Sequence, residues 1–364
     1  MEDFTAGAIS DQPTRRQSSI EPPFDERVRQ LVADWGAPKS PELIEEIIVT
    51  ALKMARDKMG TADLKLMNRS LKEMRYAAKV FSGYRQFRKV CVFGSARTPP
   101  SEAQYEVAEE FARAMVAQNY MVITGGGEGI MGAAQLGAGR EHSFGLNIRL
   151  PFEQHANVTI EGDTKLVNFN YFFTRKLNFV KETHAFALFP GGFGTMDEGF
   201  EVLTLMQTGK ARIIPVVLID RPGGSYWETW LKFVTEQLLE FGYIGKEDFS
   251  LFKRVASVEE AVQEIVHFYS VYQSSRWVRD QLVIRVNRKL TSGAVTQLNA
   301  HFSDIIRSGD IVQTTALRQE KNEPEIWDLP RLILTPYRRS FARFRDLIDA
   351  INASELEATA GQEG

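Results

Sequence analysis

The chain has 364 residues, 43% of them hydrophobic, and a formal net charge of -3 at pH 7. That length and apolar content suit one large folded domain with smaller attachments. The near-neutral charge excludes long-range electrostatic capture of nucleic acid or an anionic membrane, so an anionic ligand has to be held by local groups. The single cysteine, Cys91, excludes an internal disulfide and a multi-thiolate metal site, and it lies in an apolar run where a buried thiol is expected. No segment approaches the roughly 18 apolar residues of a membrane span. The expectation is a cytoplasmic protein with no nucleic-acid and no membrane partner.

Residues 1–23 are rich in Ser, Thr, Gln, Asp and Pro and are predicted to form a disordered tail. Residues 24–88 form a helical N-terminal region, because apolar residues recur at three and four spacing. Leu43, Ile44, Ile47, Ile48, Leu52 and Met54 make one such series, and Leu64, Leu66, Met67, Leu71 and Met74 the next. Ser40-Pro41 suits an N-cap and a first helical position.

From residue 89 to about 270 short β-rich runs alternate with helical ones: 90–93, 120–124, 145–150, 185–189 and 213–219. Alternation of this kind predicts an α/β, Rossmann-like, mainly parallel sheet with helices on both faces, and the unbroken apolarity of the runs suits strands buried on two sides. In such sheets ligands sit beyond the carboxyl ends of the strands. Residues 271–354 are predicted to make a small α+β accessory domain, with strands near 282–286, 310–315 and 331–334, a helical stretch to about Ile306 and a last helix through Ile351. Residues 355–364 complete the chain as a flexible tail. The last helix carries Arg338, Arg339, Arg343 and Arg345 among Tyr337, Phe341 and Phe344, which reads as a core-facing aromatic stripe with a charged outer face.

Three loops carry the candidate chemistry. Gly94-Ser95-Ala96-Arg97 follows the first strand, where Gly94 permits close backbone approach and Ser95 and Arg97 can donate to an anion. Alone, it also reads as a tight turn. The second loop, Thr124 to Gly132, places Gly125, Gly126 and Gly127 before a helix, whose free amides and positive end form an anion pocket. Gly127, Gly129 and Gly132 also match the GxGxxG dinucleotide fingerprint. Against NAD(P), the loop follows the second strand, and Asn147, Arg149 and Glu153 stand where an acid at the next strand end is wanted.

The most specific loop is Pro190-Gly191-Gly192-Phe193-Gly194-Thr195-Met196-Asp197-Glu198. Gly191, Gly192 and Gly194 make an amide-rich nest and Thr195 adds a hydroxyl, together suited to a phosphate. Asp197 and Glu198 fall in the first helical turn, where stabilisation by the helix dipole is the plainer explanation. Between the second and third loops, Arg175 and Lys176 stand among aromatics and need an anion or solvent. Neither GxxxxGK[ST], GxSxG nor HExxH occurs, and the five histidines show no paired spacing, so no metal and no cofactor is expected.

Taken together, Gly94 to Arg97, Gly125 to Gly132, Gly145 to Ile148, Leu150 to Gln154, Asn157, Arg175-Lys176 and the PGGxGTxxE run ending at Glu198 resemble the LONELY GUY (LOG) family of nucleoside 5'-monophosphate phosphoribohydrolases, long described as possible lysine decarboxylases. The resemblance implies cleavage of the bond between base and ribose 5-phosphate. Arg175 and Glu198 are then the catalytic pair, and Gly94, Ser95, Arg97, Gly125, Gly126, Gly127, Asn147, Lys176, Gly191, Gly192, Gly194 and Thr195 bind the nucleotide. It also implies a homodimer or larger homo-oligomer. Only Glu128 separates the triple glycine from Gly129, as in a longer bacterial-type branch, whereas the short plant-type members have two residues there. The substrate is thus a cytokinin-type or a general purine or pyrimidine nucleotide. A nucleotide sensor on the same scaffold is the alternative, and decarboxylation, which needs pyridoxal phosphate on a lysine, has no support in these residues.

Overall fold

The computed structural model describes residues 22–36, 40–150, 155–339 and 341–358. Of the expected tails at 1–23 and 355–364, residues 1–21 and 359–364 lie outside these residues, as do 37–39, 151–154 and 340; Pro22 and Pro23 open a helix and Leu356 bridges to Leu290. The described residues divide into two compact units, one ending at Arg75 and one beginning at Tyr76. The first holds α1 (Pro22–Asp34), α2 (Pro41–Arg56) and most of α3 (Thr61–Ser82). Pro41 does open α2, although the Ser40 side chain makes no capping bond. Val28, Val32 and Val49 are buried there, whereas Leu43, Ile44, Ile47 and Leu52 of the same apolar series are exposed.

In the second unit a seven-stranded parallel sheet runs in the order β4-β3-β2-β1-β5-β6-β7. Its strands are β1 (Arg88–Phe93), β2 (Tyr120–Thr124), β3 (Ser143–Ile148), β4 (Leu166–Phe169), β5 (Ala185–Leu188), β6 (Val216–Ile219) and β7 (Lys253–Val255). The five expected strands are present, the third starting two residues earlier and the last beginning at Val216. β4 and β7, the two edges, are additions.

Although β1 reads as uniformly apolar, its side chains alternate between two cores. Val90 and Val92 join Phe111 and Met115 of α4 (Ala103–Ala117), Ala133 and Ala134 of α5 (Ile130–Ala138) and Ile265 of α9 (Val258–Phe268). Cys91 and Phe93 face the other side with Phe81 of α3, Phe179 of α6 (Phe172–Glu182) and Val202 and Met206 of α7 (Phe193–Gln207). Burial pushes the Cys91 thiol well above its ordinary value, which keeps it protonated inside this core. Between these last helices and α9, α8 (Tyr226–Phe233) follows β6. No described helix is long and apolar enough to cross a membrane.

A second, four-stranded antiparallel sheet has the order β10-β11-β9-β8, formed by β8 (Tyr272–Val278), β9 (Gln281–Val286), β10 (Ile306–Thr314) and β11 (Arg331–Pro336). With it go α10 (Ser292–His301) and α11 (Arg343–Asn352). β8 adds to the strands legible in the sequence, and the helical stretch predicted to reach Ile306 ends at His301. One apolar cluster continues from Phe93 and Phe186 through Phe268 and Tyr272 to Ile284 and Leu334, so the two sheets share a core. The Tyr269 hydroxyl donates across that join to the His184 carbonyl at 2.7 Å, just ahead of β5. On α11, Phe344, Leu347, Ile348 and Ile351 are buried. Arg345 pairs with Glu264 and Asp349, and Arg343 with Asp304 and Asp346, so these two arginines are matched by internal acids; Arg338 and Arg339 precede the helix, which begins at Arg343, and lie over Trp277 and Tyr337.

Candidate active site

The chain builds the sheet outward from β1 to β4, then returns to place β5 on the other side of β1, so the strand order reverses there. That reversal leaves a crevice at the carboxyl ends of adjacent strands. β2, β1 and β5 are neighbours, and each is followed by one of the three glycine loops. The fingerprint loop follows β2 and not the strand at the reversal, which removes the geometry a dinucleotide fingerprint requires.

Hydrogen bonds lock the three loops into one surface. The Ser95 amide donates to the Pro190 carbonyl at 3.0 Å, and the Ser95 carbonyl accepts from the Ile130 amide at 3.0 Å. Ser95 Oγ accepts from the Arg97 amide at 3.1 Å, while Arg97 itself is exposed at the rim. Gly94 sits against Ile130, where an added Cβ would lie 2.6 Å from the isoleucine side chain. Ser95 is therefore the hub of the assembly as well as a candidate ligand.

The glycine amides are oriented by groups holding the carbonyls. Asn157 Nδ2 donates to the carbonyls of Gly126 and Gly127 at 3.2 and 2.9 Å, and its backbone amide also donates to Gly126. Since C=O and N–H point oppositely across a trans peptide, the following amides, of Gly127 and Glu128, face away from Asn157. In the third loop the Tyr226 hydroxyl donates to the Gly191 carbonyl at 2.6 Å, which turns the Gly192 amide the other way. Gly192 is the N-cap of α7, so Gly192, Phe193 and Gly194 present amides without intrahelical partners at the positive helix end. Thr195 is buried in the first turn, with its hydroxyl against Gly191. Asn147 lies beside Gly126, its Nδ2 donating to Asn168 Oδ1 at 3.0 Å.

Arg175 is 9% exposed. Its Nε donates to the Leu146 carbonyl of β3 at 2.8 Å, its guanidinium lies over the Phe179 ring at 5.1 Å, and one terminal nitrogen rests against Gly125, where a Cβ would fall 2.6 Å away. Glycine at 125 is what lets the guanidinium reach the strand ends. Glu198, in α7, is 7% exposed. Burial raises its carboxyl above the ordinary value, opposed by a hydrogen bond and the charge of Lys176 and then by Arg175. Burial in turn lowers the Arg175 guanidinium, with Glu198 opposing. The two groups named by the resemblance thus lie near enough for each charge to influence the other's ionisation.

Lys176 is placed otherwise than a free phosphate ligand would be. Its ammonium contacts Glu198, Asp197 and Glu201 of α7 at 2.8, 2.9 and 2.9 Å. Asn157 entered the sequence reading only through the resemblance, and Glu201 and Tyr226 not at all. No local pattern announces any of the three, because each acts through a contact made across the fold.

Residues 131–265 match the family model described as possible lysine decarboxylase. A probable cytokinin riboside 5'-monophosphate phosphoribohydrolase of Oryza sativa subsp. japonica is 25% identical over 204 residues, covering 54% of this chain and 81% of the relative. A cytokinin riboside 5'-monophosphate phosphoribohydrolase of Arabidopsis thaliana is 25% identical over 186 residues, covering 50% and 84%. Among solved structures, the molybdenum cofactor carrier protein of Chlamydomonas reinhardtii has 18% identity, 48% and 94% coverage and a TM-score of 0.34.

Proposed function

The central domain of this chain belongs to the LONELY GUY (LOG) family, and from that premise we propose that the protein hydrolyses the N-glycosidic bond of a nucleoside 5'-monophosphate. Water adds its oxygen to the ribose C1', the bond from C1' to the base nitrogen breaks, and the base leaves carrying the proton. The observation that supports the reading is that Arg175, seated against Gly125 of the second glycine loop, and Glu198, in the first turns of the helix that follows the third, are both buried and influence each other's ionisation at the reversal of strand order.

The 5'-phosphate rests on the amides of the second and third loops, where its charge meets the α7 helix end. Breaking the bond spreads positive charge over the ribose ring, and the Glu198 carboxylate stabilises it while orienting the ribose hydroxyls and water. Arg175 complements phosphate or the charge gathering on the departing base. A sensor has no chemical use for this pair, which favours the enzyme. Incubation with AMP, GMP, CMP and UMP is expected to release free base and ribose 5-phosphate from at least one; thermal stabilisation by all active-site nucleotides without release would support the sensor.

A homo-oligomer belongs to the same proposal. Phe172, Phe173 and Leu177 of α6 and Phe193 and Phe200 of α7 are exposed beside the site, and a second copy would cover them. Light scattering is expected to give a mass at least twice the 41.2 kDa of one chain; a monomer at micromolar concentration would reject it.

A further inference from the structure

The inference here rests on the proposed reaction and concerns how its carboxylate is held. An ammonium group has three N–H donors. Around Lys176 stand three carboxylates, all from the start of α7: Glu198 Oε2 at 2.8 Å, Asp197 Oδ2 at 2.9 Å and Glu201 Oε2 at 2.9 Å. Every donor has a partner. A phosphate brought to this ammonium would displace one carboxylate and face the other two. The balance of charge is equally unhelpful to an anion, since one cation is enclosed by three acids, only one of which, Glu198, is buried.

We infer that Lys176 is a positioning residue for Glu198 and not a phosphate ligand: it ties Oε2 from α6, so that Oε1 is the oxygen turned to the ribose. Asp197 and Glu201 lie one turn apart on α7 and hold the ammonium from its wetter side, which fixes it against the buried carboxylate. Adjacent in sequence, Arg175 and Lys176 then divide the work. Arg175 reaches the strand ends at Gly125 and Leu146, and Lys176 sets the base of the carboxylate.

The effect on ionisation follows. Burial favours protonated Glu198, and Lys176 supplies the leading opposition. Removing the ammonium leaves Glu198 beside Asp197 and Glu201 with Arg175 as the remaining opposing charge, and its pKa rises further. A reaction that needs the carboxylate then loses its acid limb at higher pH than in the wild type.

The test compares Lys176→Met and Lys176→Arg with the wild type. For Lys176→Met, kcat on the preferred nucleotide is expected to fall roughly 10- to 100-fold, the loss of one charged hydrogen bond, with the acid limb displaced upward. Lys176→Arg should recover much of both. Calorimetric affinity for ribose 5-phosphate should change by less than about threefold in either variant, because a phosphate contact worth a charged hydrogen bond would cost more than that. A tenfold loss of ribose 5-phosphate affinity with kcat intact would overturn the inference in favour of a phosphate ligand. Carboxyl 13C titration of Glu198 reads the tie without any turnover: its midpoint should rise in Lys176→Met, and an unchanged midpoint would also overturn the inference. Should the wild type release no base, the proposed reaction fails while this titration still decides the role of Lys176.

Discussion

Glu198→Gln is expected to bind nucleoside monophosphate within about threefold of the wild type and to lose on the order of 1000-fold in kcat. The glycine-loop amides proposed to hold the phosphate belong to backbone that the substitution leaves untouched, so ground-state affinity is expected to persist. What disappears is the negative charge opposite the positive charge developing on ribose, and removing such a transition-state contact typically costs about 100- to 1000-fold in a water-poor site. The upper end is expected because Glu198 is buried, and because an amide beside Lys176 both lacks the charge and leaves the ammonium with one carboxylate fewer. Steady-state kinetics together with calorimetry decide the matter. A Gln variant with full turnover would remove Glu198 from the chemistry, and one that fails to bind would recast it as a ligand.

Gly129→Ala should abolish nucleotide binding and lower folding stability by on the order of 3 kcal/mol, combining backbone strain with a steric clash. Gly129 has φ of 65° and ψ of -133°, a conformation open to glycine and strained for any residue with a Cβ. In addition, a Cβ there would lie 2.3 Å from the Ser95 carbonyl oxygen, the atom through which the first two loops are joined. Gly139→Ala is the matched control, since Gly139 also has positive φ, at 75°, but nothing stands within 4 Å of its added Cβ. Urea denaturation of both variants separates the two contributions. If they lose equal stability and both still bind nucleotide, the close approach at Ser95 does not hold the loops together.

The parts of this molecule that were legible in sequence are those where local chemistry and final structure agree. Central strands such as Tyr120–Thr124 are apolar on both faces because both faces are covered. The glycine loops announce themselves through Gly94, Gly125, Gly129 and Gly191, where an added Cβ would fall within 3 Å of neighbouring atoms. The edge strand β7, Lys-Arg-Val, has two exposed residues of three, and β8, Tyr272–Val278, is mostly polar and half-buried, so neither shows the pattern of a buried strand. The site divides in the same way. Arg175 and Glu198 could be singled out, but whether Lys176 faces a phosphate or α7 depends on the relative rotation of two helices, which no spacing within either encodes. Likewise Asn157 and Tyr226 act on carbonyls roughly 30 positions away, through side chains whose direction only the assembled sheet defines.

The core shared by the two sheets has a thermodynamic corollary. Phe186 and Leu188 on β5 belong to the same apolar cluster as Ile284 and Leu334 of the antiparallel sheet, and Tyr269 bonds the His184 carbonyl just ahead of β5, so peeling the antiparallel sheet away would wet part of the apolar body that β5 shares. With each square ångström of newly hydrated apolar surface costing about 25 cal/mol, partial opening is disfavoured relative to complete melting. The carboxy-terminal strands therefore act as a retaining wall for the parallel sheet, and the strand that leads into Pro190 is buttressed by a sheet that begins only at Tyr272.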